Sequence, residues 1–228
     1  MTKVLFISKK NDPDCLKAAE FLAMHFPRVA VHYGEGWGGK PPPELWDWEG
    51  DYIVSYLGRW ILPPGILARA RRAAINFHPA SPEFPGLGAV NFALYEGAAT
   101  FGVTCHHMEP VVDTGRIIAV KRFPVFPADT VASLLSRTYA RQLSLFYDVV
   151  EQIAAGGSLP DAKETWMRRP YTRKEFDCLF TITPEMDNEE VARRIRALDY
   201  REWGPYIELH GHRFKYERRK RPGELAGT

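Results

Sequence analysis

Short apolar runs alternate with helical stripes along the first half of the chain. Val4 to Ile7 is a continuous apolar run bounded by polar residues, the pattern of a strand buried on both faces of a parallel sheet. Pro13 stands at a first helical position, and Cys15, Leu16, Ala19, Leu22, Ala23 and Phe26 recur at helical spacing up to Pro27. Val29 to Tyr33 reads as a second strand. Gly34 to Gly50, rich in glycine, proline and tryptophan, reads as a mobile surface loop. Tyr52 to Leu57 resumes strand character, Pro64 to Arg72 is predicted as a short helix, and Ala73 to His78 is another strand. Strand and helix in alternation predict a doubly wound α/β sheet.

Past a proline-rich loop, the pattern predicts a helix near Ala89 to Glu96 and strands at Gly102 to Met108 and Arg116 to Val120. Asp129 is the expected N-cap of the longest helix. Its stripe runs through Val131, Leu134, Leu135, Thr138, Leu143, Phe146, Val149 and Ile153 and stops at Gly156-Gly157. Residues 158 to 186 have no clean period. Asn188 to Leu198 is an amphipathic helix with acidic residues at its start and arginines at its end. Tyr206-Ile-Glu-Leu and Arg213-Phe-Lys-Tyr then flank His210-Gly211-His212, a hairpin signal. Residues 1–157 are expected to form one domain, with 158–228 as a helix and hairpin extension packed on the same body.

Composition narrows the class. The 228 residues carry 45% apolar side chains, 30 basic against 28 acidic groups and a net charge of +2. Such a chain buries roughly 70% of its unfolded surface, so stability makes no demand on its three cysteines. Cys15, Cys105 and Cys178 are far apart with no C-x-x-C spacing, and read as reduced thiols of a cytoplasmic protein. No apolar stretch at the start is long enough for a signal core or a membrane span. The balanced charge argues against a whole-molecule nucleic-acid footprint, so anionic partners are to be met locally.

The chemistry concentrates in Ile75-Asn-Phe-His-Pro-Ala-Ser-Pro-Glu-Phe-Pro-Gly-Leu-Gly, Gly102-Val-Thr-Cys-His-His-Met and Val112-Asp-Thr-Gly-Arg-Ile-Ile. Asn76 and His78 are two apart on a strand and project from one face at its carboxyl end, the edge where ligands bind in open α/β sheets. Asp113 sits in a turn closed by Gly115. An amide donor, an imidazole and a carboxylate there supply an oxyanion stabiliser, a proton acceptor and a group that orients the acceptor. His106 and His107 with Glu109 suggest a metal, yet adjacent strand residues face opposite ways and do not readily share one ion. The Ser8-Lys9-Lys10-Asn11-Asp12 segment has no glycine-rich phosphate loop.

Asn76-Phe-His78-Pro79, Gly102-Val-Thr104-Cys-His106 and Asp113-Thr-Gly115-Arg-Ile117, in this order and spacing, resemble the formyltransferases that use 10-formyltetrahydrofolate. The resemblance covers roughly residues 3 to 155. It implies a Rossmann-like formyltransferase fold and direct attack of a substrate amine on the formyl carbon, without covalent enzyme intermediate or metal. His78 would take the amine proton, Asn76 would hold the formyl oxygen, and Asp113 would position His78 or relay a proton. The Tyr52-to-Pro63 segment resembles the strand and loop of the family's pterin pocket, which assigns Trp60, Ile61 and Leu62, with Val112 and Thr114 from the 111–114 backbone, to the folate cosubstrate.

Three acceptors compete: methionyl-tRNA, phosphoribosylglycinamide and nucleotide-linked amino sugars. The small net charge and the short stretch after residue 155 disfavour tRNA, and the missing glycine-rich turn weakens the glycinamide reading. Phe77 to Tyr95, Val191 to Tyr200 and Trp203-Gly204-Pro205-Tyr206 look like the sugar N-formyltransferases, commonly acting on dTDP-4-amino-4,6-dideoxyglucose in lipopolysaccharide O-antigen or other surface-glycan biosynthesis. Trp203 or Tyr206 would stack on the base, and Lys9 or Lys10 would meet the diphosphate. An idle folate- or nucleotide-binding homologue is the alternative of another class, and a formyl-releasing hydrolase a third. The hairpin edge offers a surface for a homodimer. Arg218-Arg219-Lys220-Arg221 reads as a solvated tail.

Overall fold

The computed structural model describes residues 1–36 and 38–217; Trp37 and the basic run at 218–221 lie outside the described residues. Six strands form the main sheet: β1 (Lys3–Lys9), β2 (Arg28–Gly34), β3 (Gly50–Tyr56), β4 (Ala70–His78), β5 (Thr100–His107) and β6 (Ile117–Pro124). Their order is β2-β1-β3-β4-β5-β6. The first four are parallel, and β5 and β6 close the edge as antiparallel strands.

Both faces are covered, which is why the strand sequences are continuously apolar rather than alternating. Val4, Phe6, Tyr52, Val54, Ile75 and Phe77 point into the larger core with Cys15, Ala18 and Leu22 of α1 (Pro13–His25). Leu5, Ile7 and Ile53 point the other way, against Leu45, Trp48, Leu62 and Ile66. Asp12 caps α1 through Oδ1, which accepts from the Asp14 and Cys15 amides, while Pro13 occupies the first turn where no donor is missed.

Three local expectations are corrected. The 34–50 segment is not wholly surface loop: it contains α2 (Glu44–Asp47), and Leu45 and Trp48 are buried under the sheet. The helix expected over Pro64 to Arg72 ends early as α3 (Pro64–Leu67), because pairing of Gly50 with Ala70 and Tyr52 with Ala73 draws the rest into β4. Good helix formers yield there to a parallel ladder, a tertiary override of propensity.

The larger core is covered by α1 and the long helix α5 (Val131–Ala154), with α4 (Ala89–Tyr95) packed beside them. The third correction concerns the α5 cap, which is Thr130 rather than Asp129: Thr130 Oγ1 accepts from Ser133 N at 3.2 Å in a reciprocal capping box. Asp129 instead braces the turn, accepting from Phe126 N at 2.7 Å and pairing with Arg137. Leu145, Gln142 and Val150 join the buried face, whereas Leu135 and Leu143 are only half-buried.

The aperiodic stretch after α5 holds α6 (Arg173–Cys178) and β7 (Thr181–Ile182), neither of which the pattern announced. α7 (Asn188–Leu198) follows, with β8 (Tyr206–Leu209) and β9 (His212–Lys215) as the expected hairpin; β7 adds a parallel strand to it. His210 and Gly211 both have positive φ at the two-residue turn, the geometry that matches strand twist. α7 docks on α4, where Asn91 Nδ2 donates to Ala197 O at 2.6 Å and Tyr95 OH donates to Glu190 at 2.8 Å. Among the described residues no helix is long and apolar enough to cross a membrane.

Candidate active site

Along β4, residues 73, 75 and 77 face the larger core, so Asn76 and His78 project from the opposite face near the strand's end. β5 returns antiparallel beside it and places His106 opposite Asn76 and Thr104 opposite His78. The end of β4 is clamped from below and beyond: Gln142 Nε2 donates to Phe77 O, and Thr104 Oγ1 to Ala80 O, each at 2.7 Å. A rigid strand end with its side chains held on one face is a suitable base for a preorganised site.

Asp113 arrives from the loop between β5 and β6 with φ +50°, a left-handed conformation that costs energy for a residue with a Cβ. Two residues on, Gly115 lies so close to β5 that a Cβ there would stand 1.9 Å from His107 O. The loop therefore folds flat onto the strand and turns the carboxylate inward. Asp113 Oδ2 lies 3.3 Å from His78 Nδ1, and Oδ1 lies 3.3 Å from His106 Nε2. Gly86 N donates to Oδ2 at 2.9 Å. His78, His106 and Asp113 are all less than a tenth exposed.

His78 Nδ1 stands 3.3 Å from the Asp113 carboxylate, and with the hydrogen on Nδ1 the neutral ring keeps its lone pair on Nε2. Phe84 O stands 3.3 Å from that nitrogen. Burial pushes the His78 imidazole below its ordinary value; Asp113 and Phe84 O oppose this, and His106 adds to it. Burial alone would raise the Asp113 carboxyl, but the positive charge available on His78, the bonds from His106 and the Gly86 amide prevail and bring it down to about 2. Both results give an ionised Asp113 beside a neutral His78. His106 Nδ1 lies 2.8 Å from His107 O, and its Nε2 faces both Asn76 Nδ2 at 3.1 Å and Asp113 Oδ1 at 3.3 Å. At most one N–H of Asn76 is used there, so another remains for a ligand oxygen.

The structure thus brings Asn76, His78 and Asp113 together. It adds three groups that no role was read for in the sequence: His106, the Gly86 amide and Trp166. His106 stood in the G-x-T-x-H motif, and its part was legible only through the antiparallel pairing with Asn76. Trp166 Nε1 donates to Gly115 O at 2.8 Å from a segment with no periodicity.

The remaining assigned residues are placed differently. Leu62 is buried in the smaller core, so it offers a ligand only its backbone, while Trp60 packs half-buried on that core with Met108. Ile61 and Val112 are exposed apolar side chains, and Thr114 Oγ1 donates to Val111 O. Lys9 and Lys10 are already engaged by Asp12 and Glu35. Trp203 packs edge-on against Phe176, Phe180 and Tyr200, and Tyr206 lies under the Arg213 guanidinium. Among the described residues no group of three or more His, Cys, Asp or Glu is arranged to hold a metal ion.

An amide, an imidazole and a buried carboxylate at a strand end of a mostly parallel α/β sheet are groups suited to acid–base chemistry. Residues 45–150 match the formyl transferase family model. A methionyl-tRNA formyltransferase of Acidovorax ebreus is 31% identical over 152 residues, 66% of this chain and 47% of that one. A GDP-perosamine N-formyltransferase of Brucella melitensis is 27% identical over 158 residues, 69% and 60% of the two chains. The chain spans about half the length of the curated relatives it matches. The fold matches a sugar N-formyltransferase from a Shewanella species with a TM-score of 0.76 at 19% identity, over 98% of this chain and 100% of that one. An N-formyltransferase from Helicobacter canadensis, in complex with folinic acid and dTDP-3-aminofucose, matches with a TM-score of 0.71 at 18% identity, over 92% and 85%.

Proposed function

We propose that the chain transfers the formyl group of 10-formyltetrahydrofolate to the amine of a nucleotide-linked amino sugar. The observation that carries this reading is the joint placement of Asn76 Nδ2, His78 Nε2 and Asp113. The acceptor amine attacks the formyl carbon, and the free N–H of Asn76 holds the oxygen as it gains charge. His78 Nε2 takes the amine proton, and Asp113 balances the imidazolium. Collapse returns that proton to the departing folate nitrogen, releasing tetrahydrofolate and the N-formyl sugar. Ile61 and Val112 present exposed apolar side chains and Trp60 a half-buried one, which suit the flat pterin.

The sugar acceptor is supported by the Brucella melitensis relative and by fold matches that extend through the C-terminal helix and hairpin of sugar N-formyltransferases. Among such substrates dTDP-4-amino-4,6-dideoxyglucose is the first to test, and its product would suit surface-glycan assembly. A methionyl-tRNA acceptor is the second reading, favoured by the 31% identical relative. Tetrahydrofolate release is to be measured with 10-formyltetrahydrofolate and dTDP-, GDP- and UDP-linked amino sugars, methionyl-tRNA, phosphoribosylglycinamide or water alone. Release that depends on an amino sugar supports the proposal. Release only with methionyl-tRNA selects the second reading, and no acceptor-dependent release with any of them overturns both.

A further inference from the structure

The segment after α5 crosses the site rather than passing it by. Its backbone is tied to the start of β6 and to the loop that follows His78: Ala162 N donates to Ile117 O, Met167 N to Pro82 O, and Tyr171 N to Pro85 O. Leu87 N returns a bond to Tyr171 O at 3.1 Å, and Gly86 and Tyr171 pair in parallel. Glu164 adds an ion pair to Arg122, which also holds Glu83 of the 79–88 loop. Along this extended strap alternate residues turn inward, and one of them is Trp166.

The indole of Trp166 packs edge-to-face against both imidazoles, 5.9 Å from His78 at 72° and 5.1 Å from His106 at 86°. Its Nε1 bond to Gly115 O anchors it two residues from Asp113. We propose that Trp166 is a positioning residue, which holds the rings of His78 and His106 against Asp113 and keeps water from that side of the site. This rests on the reading of His78 as the proton acceptor. Each imidazole can still rock about its Cβ–Cγ bond within the in-plane contacts that its two nitrogens make. A flat apolar surface against both rings removes that freedom, and it preserves the low-polarity surroundings that keep His78 neutral.

The test uses the full chain with Trp166→Ala, Trp166→Leu and Trp166→Phe, each checked by a thermal melt. Titration of the His78 and His106 rings by nitrogen-detected NMR, without substrate, reads ring environment independently of catalysis. In Trp166→Leu and Trp166→Ala the His78 titration is expected to move toward its ordinary value, whereas Trp166→Phe keeps the parent curve. In formyl transfer, kcat is expected to fall roughly 10- to 100-fold in the leucine and alanine variants with KM for the folate nearly unchanged, and Phe to restore most of it. Parent-like titration in both Trp166→Leu and Trp166→Ala overturns the proposal, as does equal behaviour of Leu and Phe. An NMR shift without any transferase activity in the parent protein would sink the reaction assignment and leave the positioning role standing.

Discussion

Asp113 Oδ2 lies 3.3 Å from His78 Nδ1 while the Gly86 amide donates to the same oxygen, so one buried carboxylate oxygen orients the ring and secures the loop at once. Asp113→Asn keeps an oxygen for Gly86 but removes the charge that balances an imidazolium. Turnover is expected to drop by about 10² to 10⁴ with circular dichroism unchanged. Steady-state kinetics on the purified variant give the answer, and a loss below about threefold would remove Asp113 from the mechanism.

His78→Ala should lower kcat by about 10² to 10⁴ as the proton acceptor is lost. Asn76→Ala should lower it by about 10² to 10³, because a single donor to the developing oxyanion disappears. Both positions are at a strand end and outside the two hydrophobic cores, so the melting temperature is expected to stay close to that of the parent. Full activity in either variant would refute its assigned part.

The pH dependence has a definite sign. His78 is depressed below its ordinary value of 6.5, so kcat should hold through neutrality and fall on the acid side, with the inflection below 6.5. For stability, the unfolded chain protonates this histidine first as pH drops below 6.5, and the folded state loses ground from there until His78 itself takes the proton. Asp113, lowered from 3.8 to about 2, contributes on the order of 2 kcal/mol above pH 4 that is lost between those two values. Urea melts from pH 8 to pH 3 should show stability declining in that direction; a rise toward acid would contradict both shifts.

Gly115→Ala should harm the site more than its size suggests. The new methyl would stand 1.9 Å from the backbone carbonyl of His107, so the loop must lift away and carry Asp113 with it. Melting is expected to fall by several degrees, about 2–4 °C for each kcal/mol in a chain of this length, together with a loss of turnover. Thermal shift and kinetics on one sample settle whether the two losses travel together.

Phe146→Ala serves as the opposite control. Phe146 is fully buried beside Phe6, Tyr56 and Phe77, far from solvent and on the core face of the sheet. Its removal should cost about 3–5 kcal/mol of stability, while kcat of the folded fraction at low temperature stays near the parent value. Denaturant titration measures the first and initial rates the second.

Local order along the chain already contained the alternation of strands and helices, the α7 boundaries, the presence of a hairpin around His210-Gly211 and the spacing of Asn76, His78 and Asp113, while His212 joined β9 instead of the turn. These depend on periods of two or 3.6 residues and on proline and glycine positions, which are properties of neighbouring residues. Tertiary structure decided what depends on partners distant in sequence. The β3 ladder turned Ala70 to Arg72 from expected helix into strand, and the antiparallel register of β4 and β5 set His106 against Asn76. The strap after α5, without any period to reveal it, delivered Trp166 to the histidines. Register and long-range packing are chosen by burial of whole faces at once, and no window of adjacent residues encodes that choice.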